Sequence, residues 1–299
     1  MDNDYYLQVE KLLHQAAADP NPYTAMAQIE KAIAIAEGQK DALLQLEVRS
    51  QLMFTAFRHG FHDRSLAVFP WMLGYVRDNP EEINPQAVIV MYITALNGIT
   101  EFPDISRQQI TGVIEQMLEY YQQHGYSLRE AYRVARHTML EMGDTETAEQ
   151  YRQQQEQATP GMAVHDCHAC DLFAEVTYLD HLGRHQQAIA TAQPLIRGEE
   201  LCQFQQQAPW AALLVSLITA GNLTGAVDCY QKSMQKQHLQ GMYHLWYVYR
   251  YLAFYALTLN LEKGLKMMEQ TFKVSLGRHA PALDYLYWLA CELLLQQLR

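Results

Sequence analysis

Glycine and proline are scarce in this sequence, with 15 Gly and 10 Pro among 299 residues. These two residues interrupt helices most strongly, so their scarcity, alongside many Leu, Ala, Gln, Glu and Met, favours a helical protein. Disorder of the whole chain is excluded, because hydrophobic residues make up 49% of it and can form a packed core.

Basic residues are also in short supply: 22 Lys and Arg stand against 33 Asp and Glu, which gives a net charge of −11. Since Lys and Arg carry most of the affinity of a protein for phosphates, this balance argues against a nucleic-acid partner. The sequence has no uninterrupted apolar run of about 18 residues, so it predicts no transmembrane helix.

The N-terminus and the cysteine count both bear on the cellular compartment. Residues Met1–Glu10 are polar and acidic, unlike a signal peptide. The five cysteines are an odd number, unlike a secreted disulfide framework. We therefore expect a cytoplasmic protein with reduced thiols and no membrane partner.

Common catalytic motifs are absent from the sequence as well. It has no H-E-x-x-H pair, no G-x-x-x-x-G-K phosphate loop and no G-x-S-x-G nucleophile turn. We therefore expect no enzymatic activity, and no cofactor other than a structural metal.

A glycine turn between two helices recurs along the chain. In each copy an apolar helix ends at a glycine, and a small residue five positions later lets the second helix cross close to the first. The copies run from His59 to Ser65, from Met142 to Ala148, from Leu182 to Ala188 and from Ala220 to Ala226. A weaker fifth copy, from Leu259 to Leu265, is expected to have Asn260 in place of the glycine, because Asn tolerates the left-handed conformation. The later turns recur every 38 to 40 residues.

One copy also carries the spacing of a known repeat. The residues with this spacing are Trp210, Leu213, Gly221, Ala226 and Tyr230. This spacing resembles the consensus of the tetratricopeptide (TPR) superfamily, and the likeness extends from about Asp41 to the end of the chain. The period is longer than the standard TPR unit.

The predicted fold is therefore all-α, a right-handed α-solenoid of about seven TPR-like helical hairpins. We expect one domain over residues 1–299, with an N-terminal helical pair at 1–40 and repeats of about 40 residues over 41–299. Residues 84–125 are predicted as two helices without the glycine turn, and Glu175 occupies a position where the consensus has Leu.

A looser resemblance rests on the D-C-H-A-C-D motif of Asp166–Asp171. Together with the turn Gly183–His185 and with Cys202 in the next joint, the motif is similar to a group of bacterial TPR-containing proteins of unassigned function. This resemblance implies a bacterial source and no particular activity.

Potential metal ligands are concentrated in two successive joints between repeats. His165, Cys167, His168 and Cys170 lie in one joint, and Cys202 lies in the next. Successive joints of a solenoid lie on the same edge, so their side chains can meet at one atom. The three cysteines, with one of the two histidines as fourth ligand, would form a closed, structural Zn²⁺ site. A redox dithiol and inert reduced thiols are the two alternatives.

Candidate partner-binding residues follow from the resemblance, because the first helix of each TPR pair lines a concave surface. They are Phe54, Phe57, Arg58, Phe173, Thr177, Asp180, Tyr247, Arg250 and Phe254. Arg58 and Arg250 could each hold a carboxylate through two hydrogen bonds.

These features favour a non-enzymatic adaptor that binds a protein or peptide in the concave groove. A ligand- or peptide-gated regulator, whose superhelix tightens on binding, is the second hypothesis, and an enzyme built around the His/Cys cluster is the third. The aromatic residues between 243 and 255 also leave open a homodimer formed through the C-terminal helices.

Overall fold

A computed structural model describes residues 4–159, 161–162, 164, 167–200, 202, 208–235, 243–276 and 280–298. These residues form helices, turns and loops without a strand, which confirms the predicted all-α class. The helices are α1 (Asp4–Ala18), α2 (Pro22–Gly38), α3 (Ala42–Arg58), α4 (His62–Asp78), α5 (Pro85–Ile99), α6 (Arg107–Gln123), α7 (Leu128–Glu141), α8 (Thr145–Gln157), α9 (His168–His181), α10 (His185–Thr191), α11 (Gln193–Arg197), α12 (Ala208–Ala212), α13 (Leu214–Thr219), α14 (Leu223–Gln235), α15 (Tyr243–Leu257), α16 (Leu261–Ser275) and α17 (Pro281–Gln296).

Most of the described helices pack against the helix that follows them in the chain. The pairs include α1 with α2, α3 with α4, α7 with α8, α9 with α10, α13 with α14 and α15 with α16. The chain divides into two compact units, of which one ends at Val113 and the other begins at Ile114. Among the described helices, none combines the length and the apolar character needed to cross a bilayer.

The glycine turns have the predicted conformation. The residues in the left-handed region are Gly60 (φ 79°), Gly143 (φ 74°), Gly183 (φ 70°) and Gly221 (φ 77°). The small residues that follow them are buried: Ser65 is 1% exposed, and Ala148, Ala188 and Ala226 are 0% exposed. Each turn therefore ends one helix and brings the next into close contact with it, as the sequence predicted.

The fifth turn lies one residue earlier than the sequence predicted. Leu259 takes the left-handed conformation with φ 56°, whereas Asn260 has φ −88° and immediately precedes α16. The close crossing occurs at Gly264 and not at Leu265. A Cβ atom at Gly264 would lie 2.6 Å from a methyl carbon of Leu294 and 3.2 Å from Cβ of Tyr255, so glycine relieves a close approach to α15 and α17. The expected register at Asn260 and Leu265 is thus wrong by one residue.

A buried ion pair holds α9 against the two preceding helices. Arg136 on α7 is 3% exposed, and its guanidinium donates to the Glu175 carboxylate on α9 at 2.9 Å. Arg152 on α8 donates to the same carboxylate at 3.1 Å. The Tyr178 hydroxyl on α9 also donates to Glu149 on α8, and this hydrogen bond holds the pKa of that carboxyl below its usual range. Glu175, the departure from the TPR consensus, therefore joins three helices.

We expect Leu259→Gly to stabilise the protein by about 0.5–1 kcal/mol, because glycine adopts a positive φ without strain. The Leu259 side chain is 66% exposed, so little apolar packing is lost on its removal. The matched control is Gly221→Ala, which forces a Cβ into the same conformation and should destabilise by about 1 kcal/mol. Urea unfolding followed by circular dichroism measures both changes. Destabilisation by Leu259→Gly would show that Leu259 is not under backbone strain.

Candidate functional site

Three cysteine side chains meet in the second unit. The Sγ atoms of Cys167 and Cys170 are 3.6 Å apart, as are those of Cys170 and Cys202. All three Sγ atoms lie within 4.8 Å of one another, and all three thiols are free. Cys167 is exposed and Cys202 is buried, so the cluster lies at the boundary between solvent and core. The structure thus brings together the three cysteines that the sequence analysis selected from two joints.

The start of α9 positions two of these cysteines. Cys167 is the residue that precedes the helix, and its carbonyl accepts a hydrogen bond from the Cys170 backbone N–H at 2.9 Å. The next residue, Asp171, accepts from Arg129 of α7 at 3.0 Å and from Gln155 of α8 at 3.2 Å. Both sulfur atoms are therefore held at the positive end of the α9 dipole, which favours bound negative charge.

The segment before Cys167 is attached to the start of α7. The Ser127 backbone N–H donates to the Met162 carbonyl at 3.2 Å, and the Ser127 hydroxyl donates to the Thr159 carbonyl at 3.0 Å. Further along, the Val164 N–H donates to the Glu130 carboxylate at 3.0 Å. These contacts attach Thr159, Met162 and Val164, which precede Cys167, to the start of α7.

The arrangement suits a tetrahedral thiolate metal site. With Zn–S bonds of about 2.3 Å, two thiolates on one zinc ion lie roughly 3.8 Å apart, close to the two sulfur separations of 3.6 Å. The other two cysteines differ in their surroundings. Cys229 and Cys291 are buried among apolar side chains, as the sequence predicted, and burial raises the pKa of Cys229 to about 11. Those two thiols stay protonated and act as small core residues.

His165, the predicted fourth ligand, lies outside the described residues. His168 is the first residue of α9 and is exposed. Three cysteine sulfur atoms are thus the part of the proposed site that the structure shows.

The second unit also contains a cavity that the sequence did not predict. An open cavity of about 540 Å³ lies between the start of α7 and the end of α8. Its lining residues are Gly125, Tyr126, Ser127, Leu128, Tyr132, Gln154, Gln157, Ala158, Thr159 and Gly161. None of these described lining residues is charged. No motif marks the cavity, because it forms where two helices and a joint come together.

In the first unit, the candidate partner-binding residues lie near the end of α3. Phe54 and Phe57 are half-buried, and Arg58 is exposed as the last residue of the helix. The Phe57 ring stacks on the imidazole of His62, with ring centroids 5.1 Å apart. Arg58 is therefore the candidate in this unit that solvent reaches most freely.

On α9, the candidates make contacts within the protein. Phe173 packs against the core of the second unit, and the Thr177 hydroxyl donates to the Phe173 carbonyl at 2.9 Å. Asp180 receives a hydrogen bond from Ser216 of α13 and lies 2.8 Å from Nδ1 of His185 of α10. Asp180 thus connects α9 to α10, its partner in the pair, and to α13, which is a structural role.

On α15, the candidates differ in their exposure. Tyr247 and Arg250 are half-buried, and the Arg250 guanidinium lies 4.6 Å from the centre of the Tyr249 ring. Phe254 is 4% exposed, and its ring stacks on Tyr230 with centroids 4.9 Å apart. The Phe254 side chain therefore belongs to the core, where a partner does not reach it.

Neither of two sequence comparisons relates this chain to a known protein: no family model matches it, and no curated protein is similar to it.

Proposed function

We propose that the protein is a non-enzymatic adaptor, a TPR-like helical scaffold that binds an uncharged peptide segment of a partner protein. The cavity between α7 and α8 carries this proposal. Its walls combine tyrosine rings with amide and hydroxyl groups, and its described lining residues carry no charge. Such a surface matches the polar, uncharged main chain of a peptide.

The cavity offers the groups that recognise a peptide backbone. Gln154 and Gln157 each bring an amide that both donates and accepts hydrogen bonds, as a peptide group requires. Both are exposed, and the half-buried Tyr132 ring stacks on Tyr151 with centroids 6.1 Å apart. Tyrosine rings held in this way lose little entropy when they pack against a ligand, which makes them effective anchors.

The cysteine cluster supports this surface as a structural zinc site. Cys167, Cys170 and Cys202 supply three thiolates, and we retain His165 as the proposed fourth ligand. A closed site of this kind leaves no position for a reacting water, in keeping with a structural role. We propose a cytoplasmic location, because thiols are kept reduced and available to zinc there.

The zinc site and the cavity share one stretch of chain. Thr159 and Gly161 line the cavity and lie a few residues before Cys167, which begins the cluster. A metal bound to Cys167 fixes the end of this stretch, and so it limits the movement of one cavity wall. We therefore expect zinc removal to weaken peptide binding as well as to lower stability.

A ligand-gated regulator is the second candidate. The cavity volume of about 540 Å³ lies in the range of sites for small molecules. A small ligand that saturates the cavity and reduces the radius of gyration of the protein in solution would favour this candidate over the adaptor.

Zinc content tests the metal site. Protein purified without a tag should contain about one zinc ion per chain, and Cys170→Ala should reduce this to less than about a tenth. Chelation of the metal should lower the melting temperature of the wild type by about 5 °C or more. The matched control is Cys229→Ala, which removes a buried cysteine outside the cluster and should retain the metal. If the wild-type protein neither contains nor rebinds zinc, the proposal of a metal site is wrong.

Selection from a random peptide library tests the adaptor. The wild type should enrich uncharged peptides, and Tyr132→Ala or Gln154→Ala should reduce their affinity at least tenfold, a loss of about 1.4 kcal/mol or more. Gln231→Ala, which truncates an exposed glutamine on α14, is the matched control and should bind like the wild type. Peptides that are lost instead from the Arg58→Glu or Arg250→Glu variants would place the binding surface at the arginines. A library that yields no saturable binder would contradict the proposal.

A further inference from the structure

Helices α16 and α17 present an apolar face to solvent. The exposed large side chains on it are Phe272 (41% exposed), Leu276 (64%), Tyr285 (63%), Trp288 (39%), Leu289 (42%) and Leu295 (45%). Four of them lie on α17, whose opposite face packs in the core through Leu283, Tyr287 and Leu294. A helix that is apolar on both faces is typically covered on both faces.

The exposed side chains form one continuous surface. The Phe272 ring of α16 contacts the Trp288 indole of α17 edge to face, with centroids 5.5 Å apart. Leu276 lies one helical turn beyond Phe272. Tyr285 and Leu295 lie on the same side of α17 as Trp288, because they are three residues before it and seven after it. We call these residues, together with Leu289, the α16/α17 face.

The size of this face is close to that of one side of a dimer interface. The exposed fractions of its six large side chains correspond to on the order of 600 Å² of surface. This is at the upper limit for the largest apolar patch of an ordinary monomer and approaches the roughly 800 Å² per partner of a stable interface.

The charges around the face suit a second copy of the same chain. The chain as a whole has a net charge of −11, which opposes self-association on most of its surface. Here the charges nearly balance, with three Lys and two Glu on α16 and one Asp and one Glu on α17. Charge repulsion between two copies that meet at these helices is therefore weak.

The two signs are also separated along the face. Exposed Lys273 lies beside Phe272, towards the Leu276 end of the face. Exposed Glu292 lies one turn beyond Trp288, towards the Leu295 end. A two-fold axis that passes midway between Lys273 and Glu292 brings Lys273 of one copy opposite Glu292 of the other.

We propose that the α16/α17 face is the interface of a two-fold symmetric homodimer. The apolar side chains bury one another, and the Lys273–Glu292 pairs set the relative orientation of the two copies. This interface is independent of the peptide-binding cavity, so either proposal can fail without the other.

Sedimentation equilibrium of the full chain tests the dimer. The wild type should show twice the chain mass of 34.5 kDa at concentrations of about 10–100 µM. Tyr285→Lys combined with Leu289→Lys should raise the dissociation constant at least tenfold, with an unchanged circular dichroism spectrum. The matched control is Leu223→Lys, which adds the same charge at a leucine of α14 that is 54% exposed, and it should remain dimeric.

A second experiment reverses charges at the exposed positions Lys273 and Glu292, where substitution does not disturb the packing of the core. Glu292→Lys should weaken the dimer severalfold, and Lys273→Glu combined with Glu292→Lys should restore it. A wild-type protein that stays monomeric up to about 100 µM would overturn the proposal and leave the face for another partner. A dimer that persists in the double lysine variant would place the interface elsewhere and would equally overturn it.

Discussion

The buried guanidinium of Arg136 determines where α9 lies, and the cysteine cluster depends on that position. A charge that is 3% exposed requires an anionic partner, because an unpaired buried charge is strongly destabilising. Glu175 provides this partner from α9 and also accepts from Arg152 of α8. Three helices are thereby held together, and Asp171 repeats the arrangement one turn nearer to Cys170. Polar contacts thus fix the position of α9, and of the cysteines at its start, relative to α7 and α8. Apolar packing alone would not determine this position.

The helical class and most helix pairs could be predicted from the sequence, because both rest on local signals. Apolar spacing and glycine caps act within a few residues of each turn. The fifth turn could not be predicted in this way, since nothing local marks Leu259 as left-handed. Its register follows the crossing at Gly264, where a Cβ atom would crowd Tyr255 of α15 and Leu294 of α17. Leu294 belongs to the next helix, so the pattern around the turn does not reveal this contact.

A candidate site could be predicted only where the positions of residues along the chain determine which of them lie close together in the fold. Cys167, Cys170 and Cys202 could be grouped because joints one repeat apart are neighbours in a helical array. The anchoring by Asp171 and the cavity beside Tyr132 could not, because both depend on how α7, α8 and α9 meet. Phe254 shows the limit of a register taken from a consensus: a step of one residue turns a helical position by about 100°, and its ring lies in the core.

The claim on which the account depends is that three thiolates from two joints bind one zinc ion. X-ray absorption at the zinc edge of the metal-loaded protein tests it most directly, because the fine structure reports the ligand atoms and their distances. A zinc ion held by these three thiolates and one histidine should show about three sulfur neighbours at about 2.3 Å and one lighter ligand at about 2.0 Å. A first shell of oxygen and nitrogen atoms without sulfur would contradict it.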